Sequence, residues 1–270
     1  MMVAIPLVVL AVALVILGFN TLMTGMPVTP GMDFAGGTAV TVFTDGTLEE
    51  IAAAFAGYPL IDVESGINDG KYLKFGPMDD DRFRALSASI IERYPDAKID
   101  QIGAAFGETL QSQAAIALAF SFILMAIVVF LVFRTLVPSV AIILSAFSDI
   151  AIAAALMNVF SIPLTLATTA GLLMLIGYSV DSDILLTNRV LKRQGSIADK
   201  MSGAFTTGFI MTSTAIAAAI AMWVVALLGQ VEVIFQISSV ILLGLAADLM
   251  NTWMLNAGIL RWYLEGREAR

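Results

Sequence analysis

Residues 113–133 read QAAIALAFSFILMAIVVFLVF, an unbroken stretch without a charged side chain. A helix needs about 20 mostly apolar residues to cross the hydrocarbon core of a bilayer. This stretch is long enough and lies in a charge-free run, 109–133; further runs occupy 1–32, 150–180 and 201–231. The chain has 270 residues, 59% of them hydrophobic and 13% charged. That charged share is about half the usual value for a soluble domain. Mean hydropathy is +0.91. A water-soluble fold of this size cannot hide so much apolar surface, so the pattern predicts a polytopic membrane protein.

Working outward from 113–133, the apolar pattern predicts six spans. The first is Val3–Met23. The others are Gln113–Phe133, Pro138–Met157, Pro163–Leu186, Ala204–Leu228 and Val233–Leu255. The first has neither a basic leading region nor a small-x-small site around Gly18–Thr24, so it reads as an uncleaved anchor. The expected division is a first transmembrane helix over 1–23, a domain over 24–108, a five-helix bundle over 109–260 and a tail over 261–270. Basic residues sort by loop: Arg134 follows span two, Arg189, Lys192, Arg193 and Lys200 follow span four, and Arg261, Arg267 and Arg270 follow span six. Asn158–Ile162 and Gly229–Glu232 hold none. By the positive-inside rule both termini are cytoplasmic and 24–108 is extracytoplasmic.

Net charge is −8, and 24–108 carries all of it, with 14 acidic and 6 basic residues. That segment is no nucleic-acid binder, which would need a basic surface. A β-branched run occupies Thr38–Phe43. Thr47-Leu48-Glu49-Glu50 fits a capping box, opening a helix to about Ala56. Ile61–Ile67 and Tyr72–Phe75 read as strands joined by Asn68-Asp69-Gly70, a hairpin signal. Asp79–Asp81 favour a helix N-terminus, the helix ends before Pro95, and Ala97–Ile102 is a last strand. The order β-α-β-β-α-β predicts a ferredoxin-like α+β domain between helices 1 and 2.

There is no cysteine and no histidine. Disulfides are excluded, and the usual zinc ligands and general base are missing. Phosphate-loop and dinucleotide motifs are absent too, so neither a cofactor nor a metal is expected. Carboxylates alone remain for proton chemistry. Asp149, Asp181 and Asp248 fall within spans, and Asp183 is close to the inner end of span four. A carboxylate at a span's centre costs about 2.5–3.5 kcal/mol, and no lysine or arginine is at matching depth. Helical periodicity puts Asp181 on a face with Ala170, Met174, Gly177 and Asn188, and Asp248 with Gly244 and Thr252; Ser145 is one turn before Asp149. Small and polar neighbours suit burial in a bundle. Asp181, Asp149 and Asp248 are therefore the proton-relay candidates; each has the alternative role of tying helices together by hydrogen bonds. Asp183, near Arg189 and the interface, reads as a helix-tying or span-ending residue.

Three segments carry a family resemblance. Asp33-Phe34-Ala35-Gly36-Gly37-Thr38 is similar to the D-F-x-G-G-T signature after the first span of the SecD and SecF protein-export subunits. Residues 177–189, GYSVDSDILLTNR, resemble the fourth-span motif of that family, with Val180, Asp181 and Arg189 at its marked positions. Phe147-Ser148-Asp149-Ile150 is similar to its third-span element. The order, one domain and six spans resemble the SecF branch in its archaeal form. Bacterial members have asparagine-aspartate where Asp181-Ser182 stands, and an arginine in the fifth span where Phe205–Gly208 has none. The resemblance implies no enzyme but an accessory subunit in the cell membrane. It would work with SecD at the SecY channel on a translocating unfolded polypeptide, with Asp181 tied to the proton motive force. An alternative is a proton-coupled exporter of small solutes or lipids of the related RND superfamily, assembled as a multimer. An intramembrane aspartyl protease would need paired carboxylates sharing a proton and a Gly-x-Gly-Asp element that is absent before Asp181.

Overall fold

The computed structural model describes residues 2–65, 70–192 and 194–268. The chain divides into two compact units, one of residues 1–29 with 116–270 and one of residues 30–115.

Residues 30–115 build a four-stranded antiparallel sheet from β1 (Gly37–Phe43), β2 (Leu60–Ser65), β3 (Gly70–Phe75) and β4 (Lys98–Ile102), ordered β2-β3-β1-β4. The first four helices of the chain are α1 (Ala4–Thr24), α2 (Met32–Ala35), α3 (Leu48–Ala54) and α4 (Asp80–Arg93). β-branched residues suit the pleat, and alternation sends Val40 and Val42 to the face shared with Leu73 and Phe75. Ile51 and Phe55, from α3 and its end, and Leu86 and Ile90 of α4 close that face into one core. Local chemistry starts both helices. Thr47 Oγ1 accepts from Glu50 N at 3.3 Å, and Glu50 Oε2 accepts from Thr47 N at 3.0 Å. Asp79 Oδ1 accepts from Arg82 N at 2.7 Å. These bonds satisfy backbone donors that have no partner within the helix. Of the predicted hairpin turn, Asn68 and Asp69 lie outside the described residues, as do Ile67, Arg193 and Arg270.

The remaining helices are α5 (Ala104–Phe133), α6 (Leu136–Val159), α7 (Leu166–Lys192), α8 (Ile197–Gly229), α9 (Glu232–Met250) and α10 (Ala257–Glu268). Among the described residues six helices are long and apolar enough to cross a membrane: α1, α5, α6, α7, α8 and the continuous rod from α9 to α10. Five helices, α5 to α8 and the final rod, run past at least one end of their predicted spans by two residues or more, because hydropathy marks the hydrocarbon core while backbone hydrogen bonding continues into the interface. At its other end α7 begins three residues after the expected Pro163. There Thr168 Oγ1 accepts from Thr165 N at 2.7 Å and donates to the Pro163 carbonyl at 3.1 Å. The rod that ends the chain is not uniform. A π-helical turn, Asn251–Asn256, joins α9 to α10, and helix continues to Glu268 through most of the expected tail.

Within this unit α6 and α7 are the most enclosed helices, whereas α1, α8 and the apolar part of α5 leave most residues exposed. α6, α7 and α9 pack on one another. Close approach needs small residues: a Cβ on Gly244 of α9 would lie 2.2 to 2.8 Å from the Leu175 side chain of α7. Likewise a Cβ on Gly208 of α8 would meet Trp253 at 2.6 Å. Trp253 packs edge-on against Phe205, with centroids 4.9 Å apart.

Candidate functional site

The enclosed helices each contribute one carboxylate. Asp149 comes from α6, Asp183 from α7 and Asp248 from α9, and all three are 0% exposed. Asp149 Oδ2 accepts from Ser179 Oγ at 2.5 Å, and its Oδ1 from Asn251 Nδ2 at 2.6 Å. Asp183 Oδ1 accepts from Asn256 Nδ2 at 2.8 Å. Asp248 Oδ1 accepts from Thr252 Oγ1 at 3.0 Å. The three are close enough for their charges to act on one another. The hydrogen-bond donors facing them are neutral hydroxyls and amides. Arg189, the nearest base in sequence, gives Nη1 to the Gly203 carbonyl at 2.6 Å.

Several polar groups in this interior have no hydrogen-bond partner. Asp183 Oδ2, Asp248 Oδ2, Asn251 Oδ1 and Asn256 Oδ1 are buried with no partner, as are the hydroxyls of Ser145, Ser148 and Thr187. Buried polar groups are normally satisfied, and each orphan is costly at low dielectric. An array of this kind suits a site whose proton content changes. Among the described residues no three carboxylates converge tightly enough to hold one metal ion.

The sequence candidates separate into two places. Asp149 and Asp248 lie together, joined by Asp183, for which the sequence predicts helix tying or the end of a span; its bond to Asn256 does tie α7 to the turn after α9. Asp183 is fully enclosed. Asp181 does not join them: it is exposed, and so are Met174, Gly177 and Asn188 of its helical face. The expected burial of that face is thus corrected. Small and polar residues do mark packing surfaces in membranes, but the surface that packs within this chain holds Ser179, Ser182 and Asp183, rotated away from Asp181. Asp181 borders a cavity of about 270 Å³ with Tyr178, Ser182, Met211, Thr212 and Leu245. Ser182 Oγ is 3.4 Å from Thr212 Oγ1 and also neighbours Asp248, so it touches both cavity and buried acids. Sequence reading passed over Asn251 and Asn256. Their signal was available: two amides in an apolar span, each needing a buried partner.

The first family motif is held by backbone packing. Phe34 is buried; Gly36 and Gly37 have φ of +78° and +154°. A Cβ on Gly36 would lie 2.9 Å from Ala104 Cα, and one on Gly37 would lie 2.5 Å from the Phe75 carbonyl. Both positions therefore require glycine. Asp33 lies in α2, and Thr38 is buried in β1. Val180 is buried among Val129, Phe133 and Ile142.

Residues 83–266 match the family described as protein export membrane protein SecD/SecF, C-terminal. The protein-export membrane protein SecF of Methanolacinia petrolearia is 57% identical over 98% of this chain and 93% of its own length. That of Haloferax volcanii is 47% identical over 96% of this chain and 91% of its own. That of Pyrococcus furiosus is 41% identical over 100% and 92%. The crystal structure of SecDF, a translocon-associated membrane protein from Thermus thermophilus, aligns with a TM-score of 0.74 at 20% identity. It covers 97% of this chain, which spans 37% of the SecDF chain.

Proposed function

The chain belongs to the SecD/SecF protein-export family, in its archaeal SecF branch, and from that premise we propose that it works with a SecD partner to drive secreted chains through the SecY channel at the expense of an ion gradient. Relatives over nearly the full length are export subunits, and six apolar helices make this a multi-pass membrane protein. We read the 30–115 unit as a ferredoxin-like domain on the extracytoplasmic side, with both termini cytoplasmic in the cell membrane. The order β2-β3-β1-β4 with two helices on one face supports the first reading, and the loop charges support the second.

The observation that carries the coupling proposal is the trio Asp149, Asp183 and Asp248, wholly enclosed and, among the described residues, without a basic partner. Retaining three carboxylates in an apolar bundle is unfavourable for stability, and a proton-accepting role gives the reason for their presence. Asp181, the family-motif aspartate, borders the cavity that Ser182 links to Asp248, so protons enter there. As an exposed carboxylate on a membrane helix, Asp181 needs cover, and the partner subunit supplies it. Depletion of this chain should slow the appearance of pulse-labelled secreted proteins outside the cell. Unchanged export kinetics after complete depletion would refute the proposal.

A further inference from the structure

Asn251 and Asn256 bracket the π-helical turn and serve different helices: Asn251 Nδ2 donates to Asp149 of α6, and Asn256 Nδ2 to Asp183 of α7. On an α-helix two residues five apart point about 140° away from each other. The wider i to i+5 turn brings both amides to the seam where α6 and α7 pack, and such turns are concentrated at functional sites. Each amide has its nitrogen committed and its carbonyl oxygen buried without a partner. A carboxylate only accepts hydrogen bonds, whereas a carboxylic acid also donates one. A primary amide can meet either, because its oxygen and nitrogen exchange places by rotation with almost no change of shape.

We infer that Asn251 and Asn256 are positioning residues that follow the proton content of Asp149 and Asp183, giving Nδ2 to the ionised acid and turning to give Oδ1 to the protonated one. The orphaned carbonyls are then the unused half of a two-state device. Other charges at this turn are few. α9 adds Asp248 and α1 has no charged residue; on α10, Arg261 and Glu265 pair with each other at 2.7 Å on the surface. Nearby hydroxyls are Ser145 of α6, Ser179 and Ser182 of α7, and Thr252 of the turn itself. The inference rests on the coupling role proposed above, but it is tested without export.

The test is infrared difference spectroscopy on the full chain in lipid bilayers, with asparagine isotope-labelled at the side-chain carbonyl, between alkaline and acidic pH. The expected result is a labelled carbonyl band that shifts on acidification as Oδ1 gains a donor. The shift should vanish in the Asn251→Leu, Asn256→Leu double variant and in Asp149→Asn, Asp183→Asn, and survive in part in the single Asn251→Leu variant, where the labelled Asn256 still faces Asp183. A wild-type band that stays fixed overturns the inference, whether or not any variant folds. So does a shift that persists in the double asparagine variant. A protein that fails in export while its band moves leaves this inference standing and refutes only the coupling role.

Discussion

Replacing Asp183 by asparagine removes a charge and keeps the shape of the side chain, so it isolates the energetic cost of that charge. A carboxylate at mid-span costs about 2.5–3.5 kcal/mol, and a hydrogen bond to a charged group returns about 1.5–3 kcal/mol. Asp183 has one such bond, from Asn256 at 2.8 Å, and one oxygen with no partner. Asp149 has two, at 2.5 and 2.6 Å. Charge-assisted bonds are roughly twice as strong as neutral ones. Asp183→Asn therefore forfeits about 1 kcal/mol of bonding and Asp149→Asn about 2 kcal/mol, while the relief of burying no charge is similar for both. The Asp183 variant should be at least as stable as wild type and about 1 kcal/mol above the Asp149 variant, roughly a fivefold difference in the unfolding equilibrium. Reversible unfolding in mixed micelles, followed by tryptophan fluorescence, reads this directly. An Asp183→Asn protein less stable than both wild type and Asp149→Asn would refute the reasoning.

Other outcomes follow from single contacts. Gly244→Ala puts a methyl into the Leu175 side chain, so the α7–α9 seam must part, at a cost of about 1–3 kcal/mol; the same unfolding assay checks it. Thr47→Ala breaks the capping box and should destabilise the 30–115 unit by about 1 kcal/mol, seen as faster proteolysis there with the bundle unaffected. Asp181→Asn changes an exposed group, so bundle stability should stay within about 0.5 kcal/mol of wild type. Export should nevertheless fall in cells carrying this variant alone, and normal export would separate Asp181 from the coupling route.

Much of the architecture was legible because membrane burial writes itself into composition: charge-free runs of spanning length can hardly be anything else. The sheet was legible for a different reason. Thr38–Phe43 is a β-branched run, Thr47 and Glu50 stand at capping spacing, and each is a local signal. The placement of Asp181 was not local. Periodicity groups Gly177 with Asp181 correctly, but cannot say whether that face meets another helix of the same chain or something outside it. Asp183 was passed over because Arg189 is close in sequence; the fold turns Arg189 to the Gly203 carbonyl and gives Asp183 an asparagine 73 positions away. The π-turn left no pattern either. Hydropathy treats Asn251–Asn256 as a weak spot in a span, and only the paired helices reveal what those amides face.

The most direct test of ion coupling is translocation of a secreted chain in sealed membrane vesicles, after initiation, with the proton gradient intact or collapsed by a protonophore. Vesicles carrying wild-type protein should complete translocation faster with the gradient. Those carrying Asp183→Asn should run at the slower rate in both conditions, although the protein is folded and present in equal amount. An Asp183→Asn protein that still accelerates when the gradient is imposed would contradict the account.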